Sequence, residues 1–272
     1  MTSAAFKQVD VFTGKPFYGN PVAVVIGAAE LETEDMQRIA RWVNLSETTF
    51  LLPSSQADYR LRIFTPQQEL PFAGHPTIGS AHAALEAGFV EKKKILRQEC
   101  AAGILELNFE DERIFVRGPD ARITDVRRTL PFAKKLLRID LGPIWIVGEM
   151  ADADELAALK PDLQAVSAFT IDHEATGVTV FAPSGEKQTA MHVRSFAPAH
   201  GIAEDPVCGS GNLAVAHYLR QTNGLKRFGE RYIARQGMQM GRDGRVHVRV
   251  EDDGGVRIGG RAVTCMEGML KI

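Results

Sequence analysis

Residues 69–82, ELPFAGHPTIGSAH, are written a second time, in altered form, at residues 204–217, EDPVCGSGNLAVAH. Aligned without a gap, Glu69, Pro71, Gly74, Ala81 and His82 fall on Glu204, Pro206, Gly209, Ala216 and His217. Upstream, LRIFTP (61–66) echoes VRSFAP (193–198), with three extra residues separating the segments in the second copy, and TTFLLP (48–53) is echoed by GVTVFAP (177–183). Each copy reads as an extended segment, a Pro/Gly turn and an Ala-rich helix. A chain that repeats such a unit folds as two similar halves, and 272 residues suit two cores better than one.

Bulk properties narrow the function classes. A net charge of −2 with Lys and Arg spread along the chain argues against a nucleic-acid footprint, and KKK at 92–94 reads as a solvated loop. No apolar run reaches membrane-spanning length. The opening MTSAAFKQVDVF lacks the charged-then-apolar pattern of a secretion signal. Cys100, Cys208 and Cys265 show neither metal-ligand spacing nor disulfide pairing, as expected of a cytoplasmic protein in a reducing compartment.

Patterning predicts a strand at 6–12, a turn at 16–21 and a buried strand at 22–26. Thr33 is the expected cap of a helix whose apolar positions, Met36, Ile39, Ala40 and Val43, recur at i, i+3, i+4 and i+7. Strands follow at 48–53 and 58–66. The first repeat helix is expected to begin at Pro76, which suits a first-turn position, and to stop near Gly88. Strands around 95–100, 103–109 and 112–117 lead to Gly118-Pro119-Asp120, the expected boundary between domains 1–118 and 119–272, with the last strand free to return to the first half. The second half offers strands near 143–148, 177–182 and 190–196, a helix near 153–160, the repeat helix over 212–222, and strands at 231–236, 245–250 and 255–259. Both repeat helices, IGSAHAALEAG and NLAVAHYL, are so poor in charge that each must be surrounded by protein. His82 and His217 within them read as structural, hydrogen-bonded histidines. Regular βαβ alternation is missing, so the expected class is α+β, with two pseudo-symmetric domains, each a barrel-like sheet around a central helix.

The turns before the repeat helices differ most between the copies and are where chemistry is expected. A helix N-terminus presents unsatisfied N–H groups and partial positive charge, and a glycine there lets a ligand approach the backbone. Gly74-His75 and Gly209-Ser210 are therefore candidate binders of a carboxylate. Gly209-Ser210-Gly211-Asn212-Leu213-Ala214 also matches a dinucleotide fingerprint, but the stretch before it, HGIAEDPVC, is polar and turn-like where that fingerprint needs a buried strand.

Several segments together resemble the PhzF-like family, the phenazine-biosynthesis isomerases of the diaminopimelate-epimerase-like fold. They are Phe17-Tyr18-Gly19-Asn20-Pro21 with VAVV, Asn44 to Thr48, Phe64-Thr65-Pro66, Glu69 to Thr77, and Glu204-Asp205-Pro206 through Ser210. The resemblance implies two pseudo-symmetric domains with the active site between them, a homodimer, and no metal or other cofactor. It casts Glu47 as the catalytic acid/base, with His75 and Asp205 supporting proton movement or holding polar groups of the substrate. Gly74, Gly209 and Ser210 are cast as binders of its carboxylate.

The implied activity is isomerisation of a small carboxylate-bearing substrate, of which the family's founding example is a dihydro-hydroxyanthranilate. A carboxyl group moves a proton between carbons best when burial lifts its pKa towards neutrality, and Glu47 precedes the apolar run TTFLL. Ser46 is a further candidate beside it. Asn20 reads as a turn residue or as one that reaches the site, with the turn preferred. Epimerases and racemases of this fold place a cysteine before each repeat-turn glycine. Here those positions are Ala73 and Cys208, which disfavours a paired-thiol mechanism and leaves Cys208 as an inert small residue or a reactive thiol. Two rivals remain at this point: an epimerase, racemase or dehydratase on an amino-acid or hydroxyproline-like substrate using Cys208, and a non-catalytic binding member.

Overall fold

The computed structural model describes residues 3–272. The chain divides into two compact units, Met1–Arg117 with Gly259–Ile272, and Gly118–Ile258.

The first unit runs β1 (Ser3–Val11), β2 (Asn20–Ile26), α1 (Thr33–Val43), β3 (Thr48–Leu52), β4 (Tyr59–Phe64), β5 (Glu69–Leu70), α2 (Gly74–Glu86), β6 (Ile95–Cys100), β7 (Gly103–Glu110) and β8 (Arg113–Arg117). The second contains β9 (Arg122–Asp125), β10 (Lys134–Asp140), β11 (Ile144–Glu149), α3 (Ala153–Ala158), α4 (Leu163–Asp172), β12 (Gly177–Pro183), β13 (Met191–Ala197), β14 (Ile202–Asp205), α5 (Gly209–Gln221), α6 (Leu225–Phe228), β15 (Arg231–Gln236) and β16 (Gly244–Val250). β17 (Val256–Gly260) follows, and β18 (Ala262–Lys271) closes the first unit by pairing antiparallel with β1.

The duplication is visible in the pairing. In the first unit the strand order is β18-β1-β2-β3-β4-β6-β7-β8, with β2/β3 and β4/β6 parallel, the other neighbours antiparallel, and β5 added on β4. In the second, β9-β10-β11-β12-β13-β15-β16 repeats that order, with β11/β12 and β13/β15 parallel and β14 added on β13. Each parallel step needs a crossover, and helices supply it. α1 joins β2 to β3 and α2 joins β4 to β6. α3 and α4 join β11 to β12, and α5 joins β13 to β15.

α2 and α5 are the two cores. α2 touches β1, β2, β3, β4, β8 and β18, and every residue in it except His82, Leu85 and Glu86 is buried. α5 is buried except at Ser210, Arg220 and Gln221. Small side chains allow sheets to close so tightly around a helix. A Cβ on Gly79 would lie 2.4 Å from Val22 Cγ1 and 2.9 Å from Val11 Cγ2, so β1 and β2 press directly on the α2 backbone.

The structure corrects several expectations. α2 begins at Gly74 and α5 at Gly209, each earlier than predicted. Ala73 is extended (φ −151°, ψ 136°) and its carbonyl accepts from Thr77, so Pro76 sits third in the helix, still inside the turn whose N–H groups need no helical partner. Glu32, not Thr33, precedes α1, and the Thr33 hydroxyl instead accepts from Arg62 at 3.1 Å. Asn20 is not a turn residue. It is the buried first residue of β2, opposite Val11. Strands β9, β10 and β18 carry mixed polar patterns and helix α4, LQAVSAFTID, has no distinct polar face, so none gives a periodic signal; β18 is exposed over 266–269.

Replacing Gly79 by Val should destabilise the protein by about 3 kcal/mol, the overpacking cost where neither neighbour can yield easily. Urea denaturation checks this; an unchanged midpoint and slope would show that the α2–β1–β2 packing has slack.

Candidate active site

Glu47 is placed by the end of one helix and the start of a strand. α1 stops at Asn44, which takes a left-handed conformation (φ 57°) and donates its N–H to Ala40 O. Three residues later the Glu47 carbonyl accepts from Ala23 N–H of β2 at 3.3 Å, and the chain enters β3. The main chain is thus fixed on both sides of Glu47, and the side chain is 16 % exposed, with Oε2 shut off from solvent. Burial raises the carboxyl pKa from 4.5 to about 7, against a smaller lowering by a hydrogen bond from Ser46. Oε2 lies 3.2 Å from Nε2 of His75, the second residue of α2. A carboxyl group that titrates at neutrality can both accept and return a proton, and the buried imidazole beside it can face either form.

The N-terminus of α2 has no side-chain cap, because Ala73 has no polar group. Its position is fixed from behind. The Thr77 hydroxyl accepts from Gln98 Nε2 at 3.3 Å, and Gln98 Oε1 accepts from Tyr59 OH at 2.9 Å. Gly74 and His75 thus sit on a helix end anchored to β4 and β6.

The second unit builds the same device with other groups. Gln236, at the end of β15, accepts from Cys208 N–H at 3.2 Å and from Asn212 Nδ2 at 3.0 Å, and donates to the Asp205 carbonyl at 3.0 Å. Gln98 and Gln236 are both fully buried. Asn212 occupies the position of Thr77 in the repeat, so each helix N-terminus is tied by a buried glutamine to the strand that follows its helix. Cys208 caps α5, its Sγ accepting from Gly211 N–H at 3.2 Å. Burial pushes its thiol well above the usual range, and the Asp205 charge adds to the shift. A thiol held protonated is a poor nucleophile or base. The Asp205 carboxylate accepts from Val207 N–H at 3.0 Å. Ser210 is partly exposed, and its Oγ accepts from the Trp145 indole N–H at 2.9 Å.

Of the residues singled out from sequence, Glu47, Ser46, His75 and Gly74 therefore cluster within the first unit, and Asp205, Cys208, Gly209 and Ser210 within the second. Asn20 is buried at the start of β2, beside Gly19, whose N–H donates to Asp10 at 3.1 Å. Sequence reasoning missed the two glutamines and Trp145. Arg97-Gln98 and Arg235-Gln236 are a repeated dipeptide that would have found the glutamines. His82 does bond within its unit, 3.2 Å from Thr264 Oγ1. His217 does not match its expectation: its Nε2 is buried with no hydrogen-bond partner among the described residues. Burial and the Arg220 charge lower its pKa to about 4, so the ring is neutral and needs no counter-charge.

The sequence profile of the phenazine biosynthesis-like proteins, PhzC-PhzF, matches residues 9–115 and 121–268. The chain belongs to this family. One relative, from Schizosaccharomyces pombe and named antisense-enhancing sequence 1, is 38 % identical, covering 98 % of this chain and 99 % of its own. A trans-2,3-dihydro-3-hydroxyanthranilate isomerase of Pseudomonas chlororaphis is 32 % identical, covering 96 % and 97 %. The crystal structure of a PhzF-family phenazine biosynthesis protein from Bacillus anthracis superposes with a TM-score of 0.89 over the whole of both chains at 28 % identity. The fold is the epimerase-like one of this family. Among the described residues no cluster of His, Cys, Asp and Glu could hold a metal ion, and no helix is long and apolar enough to cross a membrane.

The raised pKa of Glu47 has a cost for the fold. The unfolded chain releases this proton near pH 4.5, the folded protein only near 7. The folded state is therefore favoured below 4.5 and loses that advantage as pH rises to 7, by roughly 3 kcal/mol. Glu47→Gln removes the penalty, so its stabilising effect should be larger at pH 8 than at pH 4 by up to that amount. Urea denaturation of both proteins at the two pH values measures it; an effect independent of pH would mean that Glu47 ionises normally.

Proposed function

We propose that this protein is a PhzF-type isomerase that moves a proton between carbons of a small, unsaturated, carboxylate-bearing substrate without metal or nucleotide. The observation that carries this reading is Glu47, lifted to about pH 7 by burial and set 3.2 Å from the His75 ring. The ionised Glu47 takes a proton from a carbon next to the unsaturated system. The electron pair left behind spreads into that system, and protonated Glu47 returns the proton to another carbon. Nothing is oxidised or reduced, and the base is regenerated. His75 and Asp205 orient polar groups of the substrate or relay the proton. The N–H groups of Gly74, Gly209 and Ser210 hold the carboxylate and stabilise developing negative charge. The relatives named as isomerases of a dihydro-hydroxyanthranilate support this substrate class. We further propose a cytoplasmic homodimer with no nucleic-acid partner.

The rival use of Cys208 as a second base in an epimerase or racemase is disfavoured by the same physics that favours Glu47. Burial raises both groups, but a carboxyl moved to 7 becomes useful at neutral pH, whereas a thiol pushed up from an already high value stays protonated.

A screen of small cyclic and aromatic carboxylates for deuterium uptake from solvent should identify a substrate. On it, Glu47→Gln should lower turnover at least about 100-fold with folding intact. kcat/KM of the native enzyme should rise with pH up to about 7 as Glu47 ionises, then level off. Near-normal turnover in Glu47→Gln rejects the mechanism, and loss of turnover in Cys208→Ser, with inversion at carbon, turns the reading towards the epimerase.

A further inference from the structure

The two halves differ most informatively behind the Gly209-Ser210 turn. Strand register places Val24 opposite Thr49 and Val147 opposite Thr179, and the two threonines occupy the same position in the repeated TTFLLP/GVTVFAP segments. Two residues back along each strand, Val22 of β2 therefore corresponds to Trp145 of β11. In the turns, His75 corresponds to Ser210. In the first unit the strand offers a fully buried aliphatic group, and His75 is left to face Glu47. In the second it offers an indole, and that indole donates to Ser210.

Trp145 is only 3 % exposed, and a buried indole N–H can donate but not accept. The ring has little room to move. Gly177 lies opposite it in β12, where a Cβ would come within 2.6 Å of Trp145 Cζ3 and 2.3 Å of the Phe196 carbonyl oxygen. The missing side chain at Gly177 makes the space the ring fills. The hydroxyl it reaches is the partly exposed one at the start of α5.

We propose that Trp145 is a positioning residue that commits the Ser210 hydroxyl to donating. This inference rests on the carboxylate-binding role proposed above for the α5 N-terminus. An indole N–H on one lone pair of Oγ leaves the O–H as the group with which Ser210 meets an incoming acceptor. Cys208 Sγ lies within its reach, at 3.6 Å, and is a weak acceptor. A carboxylate at the helix N-terminus is a far stronger one and takes the proton's direction over. The turn thus adds a hydroxyl donor to its backbone N–H groups. In the first unit, Val22 offers no such donor to His75.

The chain has two tryptophans, and the other, Trp42, is 81 % exposed on α1. In Trp42→Phe the emission therefore reports on Trp145 alone. Titration of that protein with cyclohex-1-ene-1-carboxylate should shift the emission, and the neutral cyclohex-1-ene-1-carboxamide should not. By calorimetry, Trp145→Phe and Ser210→Ala should each weaken carboxylate binding about tenfold, and the double variant should be no weaker than either alone. Unchanged affinity in Trp145→Phe, a full additional loss in the double variant, or no response of the Trp145 emission to the carboxylate would overturn the proposal. The fluorescence arm stands even where a Trp145 variant fails to fold. The isomerase reading fails separately: Glu47→Gln should bind the carboxylate normally while losing proton exchange, and retained exchange there leaves the Trp145 result untouched.

Discussion

A buried glutamine behind each helix N-terminus is the contact on which the arrangement of both candidate clusters depends. Gln98 reaches Thr77 from β6, and Gln236 reaches Cys208, Asn212 and the Asp205 carbonyl from β15. A helix end whose N–H groups are to serve a ligand cannot satisfy them all internally, so it must be held from elsewhere. The glutamine carries both donor and acceptor, loses no charge to burial, and ties the turn to a strand fully inside the sheet. Around it the sheet closes on a helix of small residues, and the turn is tied to the strand that follows.

From that shared frame the two halves diverge in electrostatics. The first sets a carboxyl group against an imidazole in a place dry enough to bring the carboxyl to neutrality. The second presents hydroxyl and backbone donors, with a protonated thiol capping the helix and an indole behind the serine. The stability given up by burying Glu47 matches the pattern in which reactive groups sit where the fold alone would not place them.

Much of this was legible in the sequence because the duplication repeats residues with fixed backbone consequences. Proline and glycine mark the turns, and alanine and glycine mark the helices that sheets surround. Glu47 was readable only through the family motif around it, since a single glutamate before an apolar strand has many meanings; its burial comes from β2 and α2, distant in sequence. The exact start of α2 was missed because Pro76 looks like a first residue, whereas the helix begins two residues earlier at Gly74, directly after the extended Ala73. Asn20 was misread because Asn-Pro is a turn pair by composition, and only its pairing with Val11, which lies outside the motif, makes it a strand residue. Trp145 was invisible for a deeper reason: its meaning lies in a bond to a residue on another element, and nothing local in IWIVGE announces a polar partner.

The central claim is that burial brings Glu47 to neutrality. Carbon-13 NMR of the protein labelled at glutamate carboxyl carbons, with the Glu47 signal assigned by its disappearance in Glu47→Gln, measures it directly. One carboxyl titrating near pH 7 and absent from the variant is the predicted result. A Glu47 signal titrating near the ordinary value of 4.5 would contradict the account.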